Sequence, residues 1–179
     1  WKWMEKNAKH IVQYRILGGE PFFQPEFEQN IDFFHSNPCP DTSIKIFSNL
    51  KVENKRMRKL LDKVVNLQNT GKIKSFEIVC SLDCWGPEQE YIRTGLDIKK
   101  WEENFLTILN EYQSISILIH GTIISLTMQT LPDLCRKIAE WNKVRLVKHS
   151  LSFVTGRPDM DVGVFPKGFF DKQFKRSIK

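Results

Sequence analysis

The sequence predicts an α/β fold in which parallel strands are joined by crossover helices, and two observations carry that prediction. Short β-type runs at 14–17, 43–47, 75–82, 114–119 and 150–154 alternate with longer segments of helical period, the pattern of a parallel sheet with helical connections. The runs recur at roughly 30 to 40 residues, about the length of one βαβ unit. With 179 residues, 41% hydrophobic and 27% charged, the chain falls in the ordinary globular range. It supports one substantial core.

Residues 1–13 read as a helix feeding the first strand run, yet no strand precedes them, so the alternation starts in mid-motif. After that run, Pro25 suits a first helical position and Glu26 and Glu28 favour the positive end of the helix dipole. Phe27, Ile31 and Phe34 fall on one stripe of this helix, by which it packs. Met57, Leu60, Leu61 and Val64 repeat the stripe before Gly71 ends the next helix. In the third, Ile98, Trp101, Phe105 and Ile108 oppose Lys99, Lys100, Glu102 and Glu103, an amphipathic division. Thr130 and Pro132 open the last helix, whose stripe is Leu134, Cys135, Ile138 and Trp141. No repeat or linker appears before about Gly156, where Arg157, Pro158 and then Pro166 break the pattern. The chain therefore divides into a core at 1–156 and the start of a C-terminal extension at 157–179.

Composition narrows the function classes. The chain opens at Trp1 without a charged, apolar, small-residue leader, so its start reads as that of a fragment and not as a signal peptide. The longest apolar stretch, 115–126, is interrupted by Ser116, His120, Gly121, Thr122 and Ser125 and is too short to span a bilayer. Four scattered cysteines argue against a secreted disulfide scaffold. A soluble, cytoplasmic protein without a membrane partner is expected. The net charge of +6 concentrates at 51–63, in a helix, and at 167–179, with no aromatic interleaving. Solvated faces explain that distribution better than nucleic-acid binding does.

In parallel α/β folds the ligand sits at the C-terminal ends of the strands, so the residues following each run carry the chemistry. After the first run stand Gly18, Gly19, Glu20 and Pro21. The two glycines permit close backbone approach to a ligand, Pro21 fixes the turn and Glu20 offers an acceptor to an ammonium group. An isolated motif of this kind also serves as a plain βα turn. Further candidates are Asn49 within Phe47-Ser48-Asn49-Leu50, and Ser81 and Asp83 at the end of the run at 75–82. The following loop adds Gly86-Pro87-Glu88 and Arg93 within Tyr91-Ile92-Arg93-Thr94-Gly95, with Trp101 and Asn104 beyond it.

Taken in order, this series resembles the radical SAM enzymes of the twitch or SPASM type, and the resemblance covers nearly the whole chain. It implies a partial parallel (β/α) TIM-like barrel of the radical SAM type, missing its first strand. It also implies S-adenosylmethionine (SAM) as cofactor, with Gly18, Gly19, Glu20 and Pro21 at its methionyl amino end, Ser81 and Asp83 near the ribose, Arg93 on its carboxylate and Asn49 as a polar strand end. A backbone approach to adenine around Thr122, Ile123, Ile124 and Ser125 is implied as well. Without the family, Ser81 and Asp83 read as caps, Arg93 as half of a surface ion pair and Asn49 as a turn.

The family uses a [4Fe-4S] cluster on three closely spaced thiolates such as CxxxCxxC after the first barrel strand, and this chain has neither that strand nor that motif. Cys80 reads as a core residue and Cys84 as a loop thiol. The expectation is a radical SAM enzyme when intact, inactive as this fragment. Its substrate would be a peptide or protein and its electron donor a flavodoxin or ferredoxin. The alternative is a non-catalytic, barrel-derived module that binds a nucleoside or peptide without a cluster. His10, His35, His120 and His149 are dispersed, with no HExxH spacing, GxSxG elbow or P-loop. A barrel lacking its first strand also leaves an open edge, and aggregation or partial unfolding of the 179-residue chain is expected.

Overall fold

A computed structural model describes residues 1–177 and shows a five-stranded, wholly parallel sheet interleaved with helices. The strands are β1 (Gln13–Ile16), β2 (Cys39–Ser48), β3 (Ile73–Ser81), β4 (Ser116–Ile123) and β5 (Lys148–Phe153). The helices are α1 (Lys2–Asn7), α2 (Pro25–Ser36), α3 (Asn54–Asn69), α4 (Pro87–Ile92), α5 (Ile98–Glu111), α6 (Leu131–Asn142) and α7 (Asp171–Ser177). All five expected strands are present. The strand expected at 114–119 runs on to Ile123, because Gly121, Thr122 and Ile123 pair with Leu151, Ser152 and Phe153. Thr122 and Ile123 therefore lie within β4 and not in a loop beyond it.

Local signals set the helix bounds. Pro25 opens α2 with Glu26 and Glu28 in its first turn, where its missing N–H costs nothing and the acids meet the dipole. Asp97 caps α5 by accepting from the backbone N–H groups of Lys99 and Lys100, two of the donors that a helix start leaves unpaired. Beyond α3 the chain turns through Gly71, whose φ is 66°, a left-handed conformation that glycine adopts freely.

The strand order is β1-β2-β3-β4-β5, the same as the chain order. Right-handed crossovers that always advance in one direction place every connecting helix on the same face of the sheet. That face is the core. Ile44, Ile46, Phe76, Ile78, Ile117 and Ile119 are buried in one cluster with Phe27, Ile31 and Phe34 of α2, Met57, Leu60, Leu61 and Val64 of α3, Trp101, Phe105 and Ile108 of α5, and Leu134 and Trp141 of α6. Burying each such side chain contributes about 1.5–3 kcal/mol. Trp101 stacks on Phe105 at 5.1 Å between ring centroids, and Trp141 lies 4.3 Å from Phe105.

The opposite face carries Ser43, Lys45 and Phe47 of β2, Ser75 and Glu77 of β3, and Ser116, Leu118 and His120 of β4, all half-buried and none in that cluster. The C-terminal extension is packed. Phe170 joins Ile123, Met128 and Leu131 in a second apolar cluster, and Ser125 donates its backbone N–H to Met160. Among the described residues no helix is long and apolar enough to cross a membrane.

Candidate functional site

The C-terminal ends of the strands are tied together by two carboxylates. The first is Glu20. Gly18 and Gly19 leave β1 with φ of 89° and 59°, and a Cβ on Gly19 would sit 2.2 Å from the side-chain nitrogen of Gln24. Glycine is favoured there by its positive φ, while the end of the flexible Gln24 side chain could swing aside. The turn delivers Glu20 to a 3-10 helix (Pro21–Phe23), whose first residue is the buried Pro21. Glu20 Oε1 accepts from Ser48 Oγ at 2.7 Å and from the Phe22 N–H at 3.4 Å, and Oε2 accepts from the Asn49 N–H at 2.7 Å. Burial pushes this carboxyl above the ordinary carboxylate range, while the bonds from Ser48, Asn49 and Phe22 pull the other way. Oε2 accepts one bond among the described residues, and a carboxylate oxygen has room for two. An ammonium group placed there would complete it and favour the charged form.

The loop after β2 is shaped to meet Glu20. Ser48 Oγ also accepts from the Leu50 N–H at 2.9 Å, and Asn49 Oδ1 accepts from the Lys51 N–H at 2.9 Å. Asn49 is thus a turn residue by its side chain and a donor to Glu20 by its backbone. Leu50 is fully buried at a φ of 51°, the one non-glycine residue with positive φ among those described. A side-chain-bearing residue held there costs on the order of 1 kcal/mol or more.

The second carboxylate is Asp83, 4% exposed. Its Oδ2 accepts from Arg93 Nε at 2.7 Å, and its Oδ1 accepts from Arg93 Nη2 at 3.2 Å and from the Thr122 N–H at 2.8 Å. Arg93 is thereby committed to Asp83 in a bidentate pair, a strong and directional arrangement. Gln89 of α4 supports the same turn, its Oε1 accepting from the backbone N–H groups of Asp83 and Cys84, both at 3.0 Å. Ser81, half-buried, lies in register with His120 on β4.

The structure therefore groups Gly18, Gly19, Glu20, Pro21 and Asn49 at the β1–β2 end, and Ser81, Asp83 and Arg93 at the β3–β4 end. A cavity of about 270 Å³ lies beside the first group, lined in part by Phe23, Leu50, Lys51, Lys100 and Trp101. None of the eight candidate residues lines it.

Several contributors escape a reading of the sequence. Ser48 and Gln89 carry no motif signal. Gly121 had a signal, a glycine inside an apolar run, which marks close backbone approach. A Cβ there would lie 2.3 Å from the Leu82 carbonyl oxygen and 3.1 Å from Asp83 Cα, so the glycine lets β4 pass against the Asp83 turn. Among the described residues no group of three or more His, Cys, Asp or Glu is placed to hold a metal ion. Cys80 is sealed in the core, where burial and then the charge of Glu20 raise its pKa, and burial first of all pushes Cys84 up to about 11. Both thiols are fully buried, and neither belongs to a cluster of possible ligands among the described residues.

A scan against protein-family models finds no match to this chain, and no curated protein matches it.

Proposed function

We propose that this chain is the SAM-binding part of a radical SAM enzyme, its sheet forming part of a (β/α) barrel of that type. The observation that carries the reading is the Glu20 carboxylate, held between two strand ends behind Gly18 and Gly19 with acceptor capacity to spare on Oε2. That is a suitable seat for the amino group of a methionyl moiety. The one-way strand order and the single helical face also suit a barrel, since open doubly wound sheets reverse their order.

In that family, SAM cleaved with an electron from a [4Fe-4S] cluster supplies a 5′-deoxyadenosyl radical that abstracts hydrogen from a substrate. The residues of this chain would bind and orient the nucleotide. Glu20 would hold the amino group, and Ser81 would offer its hydroxyl to the ribose. Asp83, whose oxygens are engaged by Arg93 and Thr122, would chiefly fix the loop on which the ribose rests. The Arg93 guanidinium would act on the SAM carboxylate only through donors not already given to Asp83. A peptide or protein substrate and a flavodoxin or ferredoxin donor belong to the same proposal.

Calorimetric titration of the 179-residue chain with SAM tests it. Glu20→Gln should weaken binding by about tenfold or more, the worth of one hydrogen bond to a charged group. A thermal melt would report separately on the loss of an acceptor for the Asn49 N–H. Equal affinity in wild type and variant would remove Glu20 from the site. A second reading is a nucleoside-binding module without a cluster of its own. It would gain first place if adenosine bound as tightly as SAM.

A further inference from the structure

We infer that the helix-free face of the sheet is a binding site for an acidic peptide segment, with His120 as its central positioning residue. The inference rests on the strand-end reading above, which fixes the end of this face at which a substrate would meet the nucleotide.

Paired residues of a parallel sheet project to the same side, so the registers assemble rungs on this face. Ser81, His120 and Ser150 form the last rung that spans three strands, with only the Thr122–Ser152 pair nearer the strand ends. Below it lie the half-buried Phe47 and Leu118 on either side of the fully buried Val79, continued by Lys148 on β5. The next rung is Arg15, Lys45, Glu77 and Ser116. Two contacts fix this facing: Lys45 Nζ lies 2.5 Å from Glu77 Oε1, and Ser75 Oγ donates to Ser43 Oγ at 2.9 Å.

The face is chemically graded. Its apolar rung is flanked by three cations, Arg15, Lys45 and Lys148, against the single carboxylate of Glu77. Glu77 is bonded to both lysines, while Arg15 makes no ion pair among the described residues and donates only to Gln13. The surplus is positive. His120, half-buried in the middle of its rung between two serines, has no side-chain hydrogen bond among the described residues. It is a polar group held on a rigid strand and turned toward an uncovered surface. Five strands at about 4.8 Å spacing make a face roughly 20 Å wide, the reach of about six extended residues. An occupant with carboxylates for the cations, apolar side chains for the half-buried Phe47 and Leu118, and an acceptor or donor for His120 matches all three features. A peptide containing glutamate and leucine supplies them.

The test uses the 179-residue chain and a fluorescein-labelled nonapeptide of alternating Glu and Leu, with a Gln-for-Glu counterpart. Fluorescence anisotropy should show the acidic peptide binding about tenfold more tightly or better, as expected for one charge-assisted contact. In histidine-detected NMR the His120 ring signal should move, with His10 and His35 still. His120→Ala should lose about tenfold in peptide affinity and His120→Gln should recover part of it, both with wild-type affinity for SAM. Equal binding of the two peptides, an unmoved His120 signal, or capture of a single-stranded oligonucleotide in place of the peptide would overturn the inference. SAM binding with no peptide response sinks this inference alone. A peptide response at His120 with no SAM binding sinks the nucleotide reading and supports the peptide site.

Discussion

Asp83 shows how much one side chain does at the strand ends. It joins the end of β3 to the backbone of β4 at Thr122 and anchors Arg93 from the loop after α4. Replacement by Asn keeps the size but turns one acceptor oxygen into a donor, which must then face either the guanidinium or the Thr122 N–H. Asp83→Asn should therefore lose about 2 kcal/mol of stability, the scale of a hydrogen bond to a charged group left unmade, and urea unfolding would measure it. A change below a few tenths would show that Arg93 and Thr122 find other partners. The sequence makes Glu20 and Asp83 legible as carboxylates at strand ends. Their partners are not legible: Ser48 stands 28 residues from Glu20 and Thr122 39 residues from Asp83. Periodicity marks where a strand stops, but it does not say which N–H of a neighbouring strand will face the side chain. For the same reason Arg93 reads as available to a ligand until its geometry shows it bonded to Asp83.

Helices α2 and α3 are joined across their outer edges by Glu28, which meets Lys63 at 2.8 Å and Lys59 at 3.1 Å. Hydrogen bonds from Lys63 and then Lys59 hold the Glu28 carboxyl far below its usual range, at about 2. A depressed carboxylate contributes stability that is fully present above its ordinary pKa and is lost as pH falls toward the folded value. The melting-temperature advantage of wild type over Glu28→Gln should thus be constant above about pH 5 and shrink between about pH 4.5 and 2. An advantage independent of pH would mean that the ion pairs contribute nothing, as many exposed pairs do. At this scale the sequence was most informative. Pro25, Gly71 and the apolar stripes mark real boundaries and real faces, because each acts within a few residues of itself. The shortfall at β4 has a physical cause. Gly121 and Thr122 look like a turn in isolation, and only pairing with Leu151 and Ser152 holds them extended.

Among the described residues the sheet is one-sided with two open edges, and the edge at β1 has exposed apolar flanks. Val12 and Leu17 are 71% and 66% exposed on either side of a four-residue strand, and an edge without a partner invites pairing with another chain. Sedimentation velocity should show concentration-dependent association of the 179-residue chain, relieved in Val12→Lys/Leu17→Lys. Monomers at every concentration would show that the short strand protects itself. The strand order has a different consequence. Partners lie 30 to 39 residues apart throughout, for example Gln13 with Ser43, Glu77 with Ser116 and Leu118 with Lys148. No strand waits for a distant one, and each new strand docks against the one made just before it. As the chain leaves the ribosome, the sheet can grow at a single advancing edge, so that nascent chains stopped after β2, β3 or β4 would already hold every strand pair they will ever have.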